Sequence, residues 1–157
     1  MSTSSQFCTF VVDGHYFGVE VERVQEVLRF QELTRVPLAP AVVSGLINLR
    51  GQIVTAVNLR QRLSLRERPA GQLPMSVILR SDDGAVSLLV DEIGEVLSAE
   101  GDMAEPPPET LRGVGRELIK GVYKLEGRLL LVLDAERGIQ SSGGRFMNER
   151  KAHEGTQ

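Results

Sequence analysis

Apolar and polar residues alternate in short runs along this chain, and turn residues separate the runs. Phe7 to Val12 and His15 to Val21 flank Asp13-Gly14. An Asp-Gly link between apolar runs signals a hairpin, because both turn positions favour positive φ. Glu20 to Leu28 is mixed. Val21, Val24 and Leu28 have helical spacing, whereas Val19 and Val21 alternate as in a strand. A short helical turn near Glu22 that runs into an extended segment satisfies both. Pro37 and Pro40 break the next stretch into loop. Ser44 to Leu49 and Gln52 to Val57 predict a second hairpin across Arg50-Gly51, and Asn58 is placed to cap a short helix ending near Leu63. Met75 to Arg80 and Ala85 to Val90 predict a third, across Ser81-Asp82-Asp83-Gly84. Ala99 to Gly115 reads as a long loop containing Pro106-Pro107-Pro108. Ile119 to Leu125 and Arg128 to Leu133 predict a fourth hairpin across Glu126-Gly127, and Asp134 starts a last turn to Ile139.

The pattern occurs twice. Gly45, Leu49, Gly51 and Asn58 match Gly121, Leu125, Gly127 and Asp134, and Ile53 to Val57 matches Leu129 to Leu133. Upstream, Val19, Val21, Val24, Glu26, Val27 and Leu28 match Leu88, Val90, Ile93, Glu95, Val96 and Leu97. Internal repetition constrains architecture before any residue chemistry is considered. It predicts one domain over residues 7–139, made of similar β lobes at about 7–63 and 75–139 with a linker at 64–74. Many short strands without a long amphipathic helix read as an all-β barrel or sandwich. Two small barrels packed together would close most sheet edges. Residues 140–157 are polar, with Ser-Ser-Gly-Gly and mixed charges, and predict a disordered tail.

Composition narrows the function classes. The hydrophobic fraction is 41% but the aromatic fraction is only 4%, so the predicted core is Val, Leu and Ile. The formal net charge is −3, which offers no electrostatic footprint for nucleic acid. Cys8 is the only cysteine, so no disulfide framework exists within the chain, and this suits a cytoplasmic protein. The first residues show no signal-peptide pattern. No apolar run approaches the ~18 residues of a membrane span.

The sequence offers little for catalysis. Its two histidines are His15, beside a hairpin turn, and His153, in the tail, and both read as solvated. Cys8 lies in an apolar strand and reads as a buried, inert thiol. One Cys and two separated His cannot supply an ordinary zinc site. Asp82-Asp83-Gly84 has no matching carboxylate at calcium-loop spacing. Asp91-Glu92 reads as a solvated strand end. No phosphate-binding or dinucleotide-binding glycine motif occurs. The expectation is a non-enzyme without metal or cofactor.

Arg50 stands out, because the first position of a type I′ turn favours Asn or Asp. Arg there places a guanidinium, with its planar fork of donors, at the tip of an apolar hairpin. Glu26, between apolar Val24 and Val27, is a candidate partner.

Several strings occur in a telling order. They are Val24-Gln25-Glu26-Val27, Thr34-Arg35-Val36-Pro37, Gly45-Leu46-Ile47-Asn48-Leu49-Arg50-Gly51-Gln52-Ile53-Val54, Asn58-Leu59-Arg60 and Leu89 to Leu97. Over roughly residues 7–139 they resemble the CheW family of chemotaxis coupling proteins. The resemblance implies two five-stranded SH3-like barrels around a shared core, with short helices. It implies a non-catalytic adaptor in the cytoplasm, at membrane-associated receptor arrays. The implied partners are the cytoplasmic tip of a chemoreceptor and the regulatory domain of a CheA-type histidine kinase. Self-association in rings stays open, as do a pilus or gliding pathway and an SH3-like module with another ligand. Carried over by position, Val24, Glu26, Gly45, Asn48 and Arg50 would form the receptor surface. Val21 and the segment Pro108, Glu109 and Thr110 would meet the kinase. The chain departs from the family pattern in that segment, where three prolines and Thr110 replace what is often an aromatic-bearing loop.

Overall fold

The computed structural model describes residues 5–81, 84–100 and 117–135. Among them ten strands follow in order: β1 (Ser5–Val12), β2 (His15–Glu20), β3 (Val24–Leu28), β4 (Val43–Leu49), β5 (Gln52–Asn58), β6 (Met75–Ser81), β7 (Gly84–Val90), β8 (Glu92–Ala99), β9 (Ile119–Leu125) and β10 (Arg128–Leu133). A 3-10 turn at Val21–Arg23 precedes β3, so the mixed pattern resolves into a helical turn followed by a strand. Helix α1 (Leu59–Arg62) is one turn long, and the Asn58 side chain accepts a hydrogen bond from the Gln61 N–H at 3.3 Å. In the first two hairpins both turn residues have positive φ, Asp13 at 48° with Gly14 at 77° and Arg50 at 53° with Gly51 at 88°. That is the requirement of a type I′ link.

The strands form two five-stranded sheets, in the orders β8-β1-β2-β10-β9 and β3-β6-β7-β5-β4. Neither predicted lobe is a spatial unit. Each sheet takes the first hairpin of one repeat and the last three strands of the other. The exchange keeps register. Ile93 faces Phe10 where Val24 faces Leu79, and Val96 faces Cys8 where Val27 faces Val77. Leu131 lies beside Phe17 in the parallel pair β10–β2, as Thr55 lies beside Val86 in β5–β7. Even the irregularity in the last hairpin repeats, with Ile119 opposite Leu133 and Val43 opposite Val57. The segment at 64–74 therefore divides the chain in sequence but not in space.

Packing follows the same plan. The largest apolar cluster lies between the sheets and draws Phe10, Phe17, Val19, Val57, Leu79, Val90, Val122 and Leu131 from both repeats. Each fully buried Val, Leu or Phe contributes roughly 1.5–3 kcal/mol, so this shared core is the main source of cohesion. Ile47, Leu49, Val54 and Ala56 fill one barrel, and Tyr123, Leu130 and Val132 fill the other with Phe7. Cys8 is buried, and burial pushes its thiol pKa up, which keeps it unreactive.

Two polar expectations fail. Asp91 is not a solvated strand end. Its carboxylate accepts two hydrogen bonds from Arg60, Nε at 3.2 Å and Nη2 at 2.6 Å, and the two side chains are only 8% and 7% exposed. The backbone N–H of Asp13 donates to the same carboxylate at 2.8 Å, and the Asp91 N–H donates to the Val11 carbonyl at 2.9 Å. A buried charge needs such partners, and folding supplies them from a distant repeat. His15 is half-buried rather than solvated, with its Nδ1 unpartnered among the described residues and its ring beside Phe17.

Candidate functional site

Arg50 sits at the β4–β5 tip, held there by its turn. Gly51 provides the second positive φ without a side-chain penalty, and the Gly51 N–H donates to Asn48 Oδ1 at 3.0 Å. Asn48 thus acts on the site by supporting the turn. β3 and β4 stand at opposite ends of the strand order, yet the Arg50 guanidinium donates to the Glu26 carboxylate. This ion pair, with the Thr34–Leu46 bridge, means the sheet has closed on itself as a barrel.

The arrangement suits recognition. The Arg50 side chain is 66% exposed and that of Glu26 is 24% exposed. The Arg50 hydrogen bond holds the Glu26 carboxyl below the ordinary carboxylate range, against a smaller opposing effect of partial burial. Gln25 Nε2 adds a long contact to the same carboxylate at 3.4 Å. An exposed pair of this kind contributes little to stability because water competes for both ions. Its effect is on orientation: Glu26 engages one amino group of Arg50 and fixes the fork at the hairpin tip. Val27, next to Glu26 in β3, and Ile53, just after the turn, are both exposed apolar residues.

The other predicted site residues lie apart from this pair. Val24 turns to the opposite face of β3 and packs on the shared core. Gly45 is roughly 17 Å along β4 from Arg50, at ~3.4 Å per residue. A Cβ at Gly45 would stand 2.6 Å from the Thr34 carbonyl oxygen, so backbone packing accounts for a glycine there. Val21 lies in the 3-10 turn, packs on the shared core, and lines a polar cleft with Ser5, Gln6, Glu20 and Ser98. There Lys120 Nζ pairs with Glu20 at 2.8 Å, a contact that raises the lysine pKa and lowers that of the carboxyl. Pro108, Glu109 and Thr110 lie outside the described residues, as do Asp82, Asp83, His153, Ile139 and the tail.

The sequence reading missed Arg80 and the buried Arg60–Asp91 pair. Arg80 Nη1 donates to the carbonyls of Glu22 at 3.1 Å and Val24 at 3.2 Å. Arg60 follows the cap Asn58 in α1, and its position on the first helical turn was the available signal. Among the described residues no group of three or more His, Cys, Asp or Glu side chains is placed to hold a metal ion. No helix among them is long and apolar enough to cross a membrane.

Comparison with known proteins places this geometry. The chain is 32% identical over 140 residues to the chemotaxis protein CheW of Treponema pallidum, covering 87% of this chain and 82% of that protein. It is 30% identical over 135 residues to the chemotaxis protein CheW of Bacillus subtilis, covering 86% of each. The scaffolding protein TtCheW from Thermoanaerobacter tengcongensis has the same fold, with a TM-score of 0.75 at 22% identity over 85% of this chain and 91% of that chain. The family model for the CheW-like domain matches residues 6–143, and the chain belongs to that family.

Proposed function

We propose that this chain is a non-catalytic chemosensory adaptor that couples a chemoreceptor to a CheA-type histidine kinase. The observation that carries this reading is the exposed Arg50–Glu26 pair on a barrel of the CheW-like family. The receptor contact centres on Arg50 and Glu26. Asn48 and Gly45 act from behind it, the first by holding the turn and the second by admitting the Thr34 segment. Val24, half-buried, seats β3 on the core beside this surface. The receptor tip is a helical hairpin, and a helix seated in a groove beside a charged anchor is a recurrent recognition mode. Arginine is among the residues that dominate such interfaces.

The kinase contact involves Val21, just after β2, and the segment at 108–110. Val21 opens the 3-10 turn that leads into β3. The adaptor works in the cytoplasm beneath the receptors, where many modest contacts add up through multivalency. The test is binding of wild type and Arg50→Glu to two baits, a receptor cytoplasmic tip and a CheA regulatory domain. Loss of the first with retention of the second supports the reading. Unchanged receptor affinity sinks it.

A further inference from the structure

Val24 and Glu26 are two residues apart on β3, and in a regular strand they would share a face. They do not. Val24 opposes Leu79, a shared-core residue, whereas Glu26 opposes Ile78, which belongs with Ile47 and Val54 to the core of their barrel. The strand gains one residue at Gln25: it advances by two where β6 advances by one. Such a bulge reverses which side each following residue faces. Here it sends Val24 to the core and Glu26 to Arg50.

β8 carries the same bulge, since Ile93 faces Phe10 while Val96 faces Cys8. There the Thr9 hydroxyl donates to the Glu95 carbonyl, and Gly94 leaves room for it. A Cβ at Gly94 would lie 2.6 Å from Thr9 Oγ1. β3 has Gln25 at the matching place. Its side-chain anchor is Arg80, on the neighbouring β6, whose guanidinium grips the Glu22 and Val24 carbonyls just before the extra residue.

We propose that Arg80 is a positioning residue for the Arg50–Glu26 surface: it holds the β3 bulge and so keeps Glu26 turned towards Arg50. The consequence for partner binding rests on the receptor reading above, but the positioning role does not. Loss of the guanidinium lets the bulge slide or fray, and Glu26 then spends part of its time away from Arg50.

The experiment compares wild type, Arg80→Met and Arg80→Lys by NMR titration of the Glu26 carboxyl, alongside receptor-tip and kinase binding. Arg80→Met is expected to return the Glu26 pKa to the ordinary carboxylate range and to weaken receptor binding roughly tenfold, the scale of one charge-assisted hydrogen bond. Kinase binding falls less than receptor binding, because the turn that carries Val21 is held by Arg80 only through the Glu22 carbonyl. Arg80→Lys, which can still donate to both carbonyls, restores much of the effect. A Glu26 titration identical in wild type and Arg80→Met overturns the proposal. A Glu26 pKa that moves without any change in receptor affinity upholds Arg80 as a positioning residue and refutes the receptor reading of the surface.

Discussion

Arg60 and Asp91 are joined by two hydrogen bonds across the boundary between the repeats, with both side chains buried. Arg60 also donates from Nη1 to the carbonyls of Arg66 at 3.0 Å and Glu67 at 3.1 Å. One guanidinium therefore fastens the start of the inter-repeat segment, the β7–β8 junction and, through Asp91, the turn at Asp13. Removing Arg60 leaves the buried Asp91 carboxylate with only the Asp13 N–H and the more distant Arg68 guanidinium, 3.8 Å away, and breaking a buried pair is costly. Arg60→Ala is expected to cost about 3–5 kcal/mol. That lowers Tm by about 6–20 °C in a domain of this size. Arg60→Met with Asp91→Leu is expected to cost less than either single change, as calorimetry of the three variants will show.

Gly45 makes a steric prediction. Its Cβ position is 2.6 Å from a backbone oxygen, which cannot swing aside as a flexible side chain could. Gly45→Ala should cost about 1–3 kcal/mol, the range for overpacking. The loss should appear first as faster hydrogen exchange at Thr34 and Leu46, whose N–H groups form the bridge beside it. Unaltered exchange at both amides would contradict this account of the glycine.

Leu38 makes the opposite prediction. It has φ of 65° and a fully exposed side chain, so it bears left-handed strain without compensating packing. Asn adopts that conformation more readily. Leu38→Asn should therefore raise stability by roughly 1 kcal/mol. In thermal melts that corresponds to about 2–4 °C.

Asp13 supplies the pH dependence. Its hydrogen bond from Arg66, and the charges of Arg66 and Arg60, lower its pKa below the ordinary value despite some desolvation. A carboxyl depressed in the folded state adds stability above its unfolded pKa, about 4. That contribution is lost as pH falls through the folded value. The stability difference between wild type and Asp13→Asn should be flat from neutral pH down to about 5 and shrink below about 4. Asn is equally suited to the type I′ turn, so the comparison isolates the charge. A difference that grows on acidification would reverse the sign and refute the assignment.

The hairpins and their turns were legible because local chemistry decides them. Asp13-Gly14 and Gly51 announce positive φ, and Asn58 announces a helix start. The repeat was legible too, and its register carries through both sheets. Strand exchange was not, because the pattern of β3 states which faces are apolar but not whether its neighbour is β1 or β6. For the same reason Asp91 looked solvated: Arg60 is 31 residues away and meets it only after the sheets pack. Glu26 and Arg50 could be paired from the sequence, whereas the bulge that aims Glu26 depends on the Arg80 contacts, which no spacing rule reveals.

The Arg50–Glu26 pair is the proposed receptor contact. A charge-swap cycle addresses both residues at once. Affinity for a receptor cytoplasmic tip and for a CheA regulatory domain is measured for wild type, Arg50→Glu, Glu26→Arg and the double variant. The account predicts that each single change weakens receptor binding roughly tenfold or more, that the double variant partly recovers, and that kinase affinity is level across all four. Strictly additive losses would deny the direct pairing, and receptor affinity indifferent to Arg50→Glu would contradict the claim itself.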